Sequence, residues 1–309
     1  KGGSGKSVIA SNLAVLLAQR SDRPVVLVDA DLQVRARATR EFPQHFPQPG
    51  WVEHDPVEIW QAARDTLAEV IAQLDAPPAA IGITNQRETI VAWSRATGLP
   101  LHRAIVWQDR RTATHCEQLA ADGMLPLVRS RTGLVLDPYF SATKCAWLLR
   151  DGGVAIDDDL ALGTIDTWLL WNLTGGDVFA TDPSNASRTM LFDITSLAWD
   201  AELCDVFGVP MHALAEVRPS SGDFGVTNPR CGVAAGIPIC GIAGDQQAAL
   251  FGQLCVHPGM AKNTYGTGSF ALLNVGPTCP APAEGMLTTV GWTMADGTTA
   301  YAVEGAIFL

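Results

Sequence analysis

Residues 237–253, IPICGIAGDQQAALFGQ, constrain this chain more than any other stretch. They predict a buried strand over Ile237–Ile242, a Gly-rich stop, and a helix opening at Asp245. In open α/β sheets, ligands bind outside the carboxyl ends of the strands, where helices begin. Asp245 stands at such a point, and two readings are open. Either it caps the helix by accepting backbone N–H bonds, or it takes a proton from a substrate hydroxyl.

Composition narrows the classes. A length of 309 residues suggests about two domains with a substantial core. Hydrophobic residues make up 47% and charged residues 17%, a globular balance. A net charge of −11 argues against nucleic acid or an anionic membrane as the main partner. The cysteines at 116, 145, 204, 231, 240, 255 and 279 form no CxxC pair, and the six histidines are scattered. Reduced thiols in a cytoplasm fit better than a disulfide framework, and no His/Cys metal site is expected. The apolar run around residues 233–244 is too short to span a bilayer. No signal peptide is visible, and with Lys1 in place of a methionine the natural start is expected to lie upstream.

The opening KGGSGKS has the ending of a P-loop, in which backbone N–H groups cradle a phosphate, Lys6 neutralises it and Ser7 meets Mg²⁺. A helix is predicted over about Ser7–Gln19, then a parallel-type strand, VVLVDADLQ, ending in Asp29 and Asp31. Residues 1–33 resemble the start of the partition and pilus-localisation ATPases. The strand that should feed the loop is missing, so the stretch reads as a fused fragment.

From Val34 the text changes. Asp55 and Pro56 open a helix running to about Leu74. A buried strand, Ala79–Thr84, ends in NQRET and puts Arg87 and Glu88 at a carboxyl end; by itself that pair reads as an exposed ion pair of little energetic worth. Two strands around a Thr97–Gly98 turn end in Trp107, Gln108 and Asp109. Such βα and ββ units, with polar residues at strand ends, indicate a layered α/β domain. Lys262–Tyr265 and Phe270–Asn274 read as paired strands around Gly266, Thr267 and Gly268, a plain hairpin turn on this basis alone.

PGWVEHDP, GITNQRET, AIVWQDRRT, TGLVLDPYFSATK, TDPSNASRTMLFD, EVRPSSG, GIAGDQQAALFGQ and MAKNTYGTGSF together resemble the carbohydrate kinases of actin-like, ribonuclease-H-like fold. NQRET, WQDRR and GDQQAALFGQ are similar to the glycerol kinases among them rather than to the pentulose kinases. The resemblance implies ATP and Mg²⁺ as cofactors and glycerol as the acceptor, and is compatible with a homo-oligomer. It implies that Arg87 and Glu88 bind polyol hydroxyls, that Tyr139 hydrogen-bonds glycerol, and that Trp107 and Phe270 wall its carbon backbone. It gives Asp245 the role of base with Gln246 beside it, and turns Gly266, Thr267 and Gly268 toward the nucleotide phosphates. A site built for hydroxyls discriminates because an analogue lacking one leaves a buried group unpaired.

Departures from the family pattern are also visible. The P-loop piece stands where an Asp-Gln-Gly-Thr-Thr turn is expected, so no metal ligand is assigned. The chain stops at YAVEGAIFL, in mid-motif. Arg150–Thr164 is shorter than the family's helical segment, and Cys145 replaces a larger aliphatic residue. The expected organisation is a fragment at 1–33, a nearly complete polyol-binding domain at 34–252, and a truncated nucleotide-binding domain at 253–309, with impaired activity. The rivals are a P-loop ATPase switch and a non-catalytic polyol-binding fragment.

Overall fold

The computed structural model describes residues 15–16, 25–28, 34–265 and 268–308. At its centre lies the strand Ile81–Asn85, every residue of which is buried. Ile239–Gly244 pairs with it in parallel on one side, and Val15–Leu16 on the other. This corrects the helix expected over Ser7–Gln19 at those two residues. A central buried strand needs partners for the N–H and C=O groups on both edges, and that requirement outweighs a motif-based helix assignment. Val25–Val28, expected as a parallel-type strand, instead forms an antiparallel hairpin with Val34–Ala38.

The helix Pro56–Ile71 begins where Asp55 accepts the Val57 N–H, with proline in its first turn. Its buried residues Ile59, Ala63, Leu67 and Val70 follow helical spacing and pack on the core of Ile81, Ile83, Trp93, Trp168, Ile239 and Ile242. The Trp168 indole donates to the Pro56 carbonyl at 2.8 Å, joining this helix to Ile165–Leu173.

After Asn85 the chain leaves the parallel sheet, turns over residues 86–89, and enters Ile90–Ser94. That strand lies in a second, antiparallel sheet between Ala104–Ile105 and Leu160–Thr164. A third sheet, also antiparallel, runs Ala261–Tyr265, Gly268–Gly276, Thr299–Phe308, Leu287–Thr293 in spatial order. It packs back on the rest of the chain: Val290 and Tyr301 share a core with Ala186, Phe192 and Ile194. Gly133 has φ +70°, and a Cβ there would lie 2.6 Å from the Thr288 carbonyl oxygen, so glycine permits this close approach. The site lies where the parallel sheet, the 86–89 turn and the third sheet meet.

Candidate active site

Asp245 is the first residue of the helix Asp245–Gly252, whose N-cap is Gly244. The capping reading is thus met only in part: Asp245 Oδ1 accepts the Gln246 N–H at 2.8 Å. The same oxygen lies 3.4 Å from Arg87 Nε. Gly244 makes that approach possible, since a Cβ on it would stand 2.7 Å from Arg87 Cγ and Cδ.

Arg87 and Glu88 are not the exposed pair expected of them in isolation; their side chains are 1% and 0% exposed. The turn that carries them is strained. Thr89 N donates to the Arg87 carbonyl at 2.8 Å across Glu88, whose φ is +64°. Three-residue turns with positive φ at a non-glycine centre are rare and are held only by their surroundings. Here Ser141 Oγ donates to the Glu88 carbonyl at 3.2 Å, and Arg188 Nε donates to Glu88 Oε1 at 2.7 Å.

Two residues of this cluster carry no role in the sequence reading. Glu304, from the third sheet, accepts from Arg87 Nη1 at 2.6 Å, from Arg87 Nη2 at 3.2 Å and from Arg188 Nη2 at 3.1 Å. Arg188 lies inside TDPSNASRTMLFD, and the only available signal was its charge in the otherwise uncharged run between Asp182 and Asp193. Burial works to raise the Glu304 carboxyl, but Arg188 and Arg87 outweigh it and hold it at about 2. Glu88 goes the other way: desolvation exceeds the pull of the same two arginines and lifts its carboxyl above the usual range.

Tyr139 joins the group, accepting from Arg87 Nη2 at 3.3 Å, and burial keeps its phenol protonated. Trp107 stands edge-on to the Tyr139 ring at 5.5 Å. The Tyr139 loop is secured by Lys144, whose buried ammonium donates to the carbonyls of Pro138, Tyr139 and Phe140 at 3.0, 2.6 and 2.8 Å. Gln246 Nε2 donates to Asp245 Oδ2 at 3.2 Å, and Gln246 Oε1 accepts from Lys262 Nζ. Lys262 also reaches the Phe270 carbonyl at 3.4 Å, and the Phe270 ring is buried. Asp245, Arg87, Glu88, Tyr139 and Trp107 are therefore brought together, with Gln246 and Phe270 on the Lys262 side. Of the phosphate turn, the structure places only the backbone of Gly268 at the start of its strand. Gly266, Thr267, Lys6 and Ser7 lie outside the described residues.

Three buried polar atoms in this cluster have no hydrogen-bond partner: Arg87 Nε, Arg188 Nη1 and Glu88 Oε2. Two buried donors and a buried acceptor without a hydrogen bond match a ligand that both accepts and donates, as an alcohol does. Among the described residues, no three His, Cys, Asp or Glu side chains converge in a way that could hold a metal ion. No helix of the described residues is long and apolar enough to cross a membrane.

A strained turn at the end of a central parallel strand, a carboxylate opening the neighbouring helix and an arginine–carboxylate cluster between them form one buried polar site. Residues 21–252 match the N-terminal domain of the FGGY family of carbohydrate kinases, and the chain belongs to that family. The match opens at residue 21, inside the stretch read as a P-loop fragment, and nothing in these similarities supports that fragment. More particularly, the chain is 53% identical to a glycerol kinase of Carboxydothermus hydrogenoformans over 92% of its own length and 58% of that protein's. It is 55% identical to a glycerol kinase of Halorhodospira halophila, over 92% and 57%. Among solved structures it resembles Plasmodium falciparum glycerol kinase with ADP, with a TM-score of 0.88 and 37% identity, covering 92% of this chain and 58% of that one. The fold is the α/β actin-like fold of the sugar kinases. The chain spans about 58% of the length of these relatives.

Proposed function

We propose that this chain is the polyol-binding part of an ATP-dependent glycerol kinase, yielding sn-glycerol 3-phosphate and ADP. The observation that carries this reading is the set of unpaired buried atoms Arg87 Nε, Arg188 Nη1 and Glu88 Oε2 around Asp245. Arg87 donates to hydroxyl oxygens, Glu88 accepts a hydroxyl proton, and the neutral Tyr139 phenol adds a further hydrogen bond. Trp107 and Phe270 cover C–H faces. Asp245 accepts the proton of a terminal hydroxyl as its oxygen bonds to the γ-phosphorus, and the β,γ-bridging P–O bond breaks with its electrons passing to ADP.

ATP enters as its Mg²⁺ complex, the cation riding on the phosphates, and Gly266, Thr267 and Gly268 are proposed to face those phosphates. Phosphoryl transfer of this kind is dominated by positioning and charge neutralisation, and Arg87, Glu88, Tyr139, Trp107, Phe270 and Asp245 act on the acceptor side of it. Residues 34–252 are read as the polyol domain and 253–309 as the start of the nucleotide domain.

The test compares the 309-residue chain with Asp245→Asn. Glycerol-dependent ADP release is expected to fall by about 10²–10⁴-fold, the usual worth of a general base, with glycerol affinity changed only a few-fold. Glycerol raising Tm without turnover leaves a polyol-binding chain only. ADP release indifferent to glycerol overturns the reading.

A further inference from the structure

The third sheet brings one row of side chains to the site. Lys262 pairs with Leu272, and Leu272 pairs with Glu304, in successive antiparallel strands. Directly opposed residues share a face of a sheet, and all three are buried. The ends of the row carry opposite charges. Lys262 holds Gln246, which donates to Asp245; Glu304 holds Arg87 and Arg188. Each is the only charged residue in its strand, AKNTY and TAYAVEGAIF.

We propose that Glu304 is a positioning residue for the acceptor site, holding Arg87 and Arg188 so that Arg87 Nε and Arg188 Nη1 stay available to a hydroxyl. This rests on the polyol reading above. Glu304 is engaged by the two guanidiniums: Oε1 accepts from both and Oε2 from Arg87. Its work is electrostatic and geometric. Two guanidiniums side by side in a dry interior repel, and a carboxylate between them offsets that repulsion while fixing both planes. A carboxamide in its place has one acceptor oxygen, no charge, and an NH₂ group that faces another donor.

The 309-residue chain is labelled with ¹⁵N-arginine, and the Nε–H signals are assigned with Arg87→Lys and Arg188→Lys. In Glu304→Gln, exchange protection of the Arg87 Nε–H signal is expected to be lost. The preference for glycerol over 1,2- and 1,3-propanediol is expected to fall by roughly 10- to 100-fold, since a misplacement of about 1 Å carries a penalty of that order. Unchanged arginine signals overturn the proposal. So does an equal loss of affinity for all three alcohols, which is what a merely structural residue gives. If Glu304→Gln does not fold, Glu304→Asp keeps the charge on a shorter arm and is expected to keep one arginine signal protected and lose the other; both retained overturns the proposal. Wild-type signals that ignore glycerol sink the polyol reading instead, and the arginine signals of the variant then decide the positioning role alone.

Discussion

Two buried polar networks meet at Asn85, and they differ in the groups they leave unpaired. Behind it, Asp166 accepts from the Thr164 and Thr181 hydroxyls at 2.5 and 2.6 Å and from Asn85 Nδ2 at 3.2 Å. Asp182 accepts from the Ser184 and Asn185 N–H groups and from Ser220 Oγ. Among the described residues, neither carboxylate keeps an unpaired oxygen or forms an ion pair. In front of Asn85, Arg87, Glu88 and Arg188 each retain a buried atom without a partner. Buried charge alone does not mark a site, because both networks have it. The kind of group left unpaired does: in front it is two guanidinium nitrogens and a carboxylate oxygen, behind only neutral oxygens such as Asn85 Oδ1, and the strained Glu88 turn lies in front alone. The back network has a different task. Asn85 Nδ2 also bonds Asn185 Oδ1 at 3.0 Å, tying the strand that precedes Arg87 to the segment that precedes Arg188.

The largest effect is expected from removing a cation from the front network. Arg188→Met takes from Glu88 its hydrogen-bonded cation, leaving only Arg87 at 3.7 Å, and removes one of the three hydrogen bonds to Glu304. Breaking a buried ion pair from one side costs about 3–5 kcal/mol. A fall of that size in the urea unfolding free energy is expected. The double variant Arg188→Met with Glu88→Gln should recover part of it, because the stranded charge is gone. A double variant no better than the single one removes stranded charge as the cause.

The back network is expected to respond to pH. Burial lifts the Asp166 carboxyl from 3.8 to about 6, against the pull of its threonine partners. Between those values the folded chain keeps a proton that the unfolded chain has shed. The resulting stabilisation is complete below 3.8 and is lost as pH rises through about 6. At 1.36 kcal/mol per unit this amounts to about 3 kcal/mol. Asp166→Asn, neutral throughout, should gain about that much on wild type between pH 4 and pH 7. Equal differences at the two pH values would mean that Asp166 does not titrate there.

How far the sequence exposed these two networks follows from the range of their contacts. The helix at 56–71, the strand leading to Arg87 and the helix opening at Asp245 are written locally, in a cap, a proline, an apolar period and a Gly-rich stop. Arg87 and Glu304 lie 217 residues apart, and no local pattern relates them. Glu304 reads as one acid in an apolar strand, and only the strand register turns it toward two arginines. The burial of Arg87 and Glu88 was hidden for the same reason, since the third sheet covers them from far along the chain. Over residues 15–16 the local reading was overruled outright, because the open edge of the central strand required a strand there.

The smallest expected effect separates the networks most cleanly. Ser220 Oγ donates to Asp182 Oδ2 at 2.6 Å and accepts the Thr293 N–H at 3.1 Å. Ser220→Ala leaves a carboxylate oxygen and a backbone N–H short of one partner each, which costs about 1–3 kcal/mol. Nothing in the front network touches Ser220, so glycerol affinity should stay within about twofold while the unfolding midpoint falls, as for sites without shared partners. Glycerol affinity dropping along with stability in Ser220→Ala would show that the back network also sets the geometry of Arg87 and Glu88. The contrast between a scaffold that tolerates a lost bond and a site that does not would then fail.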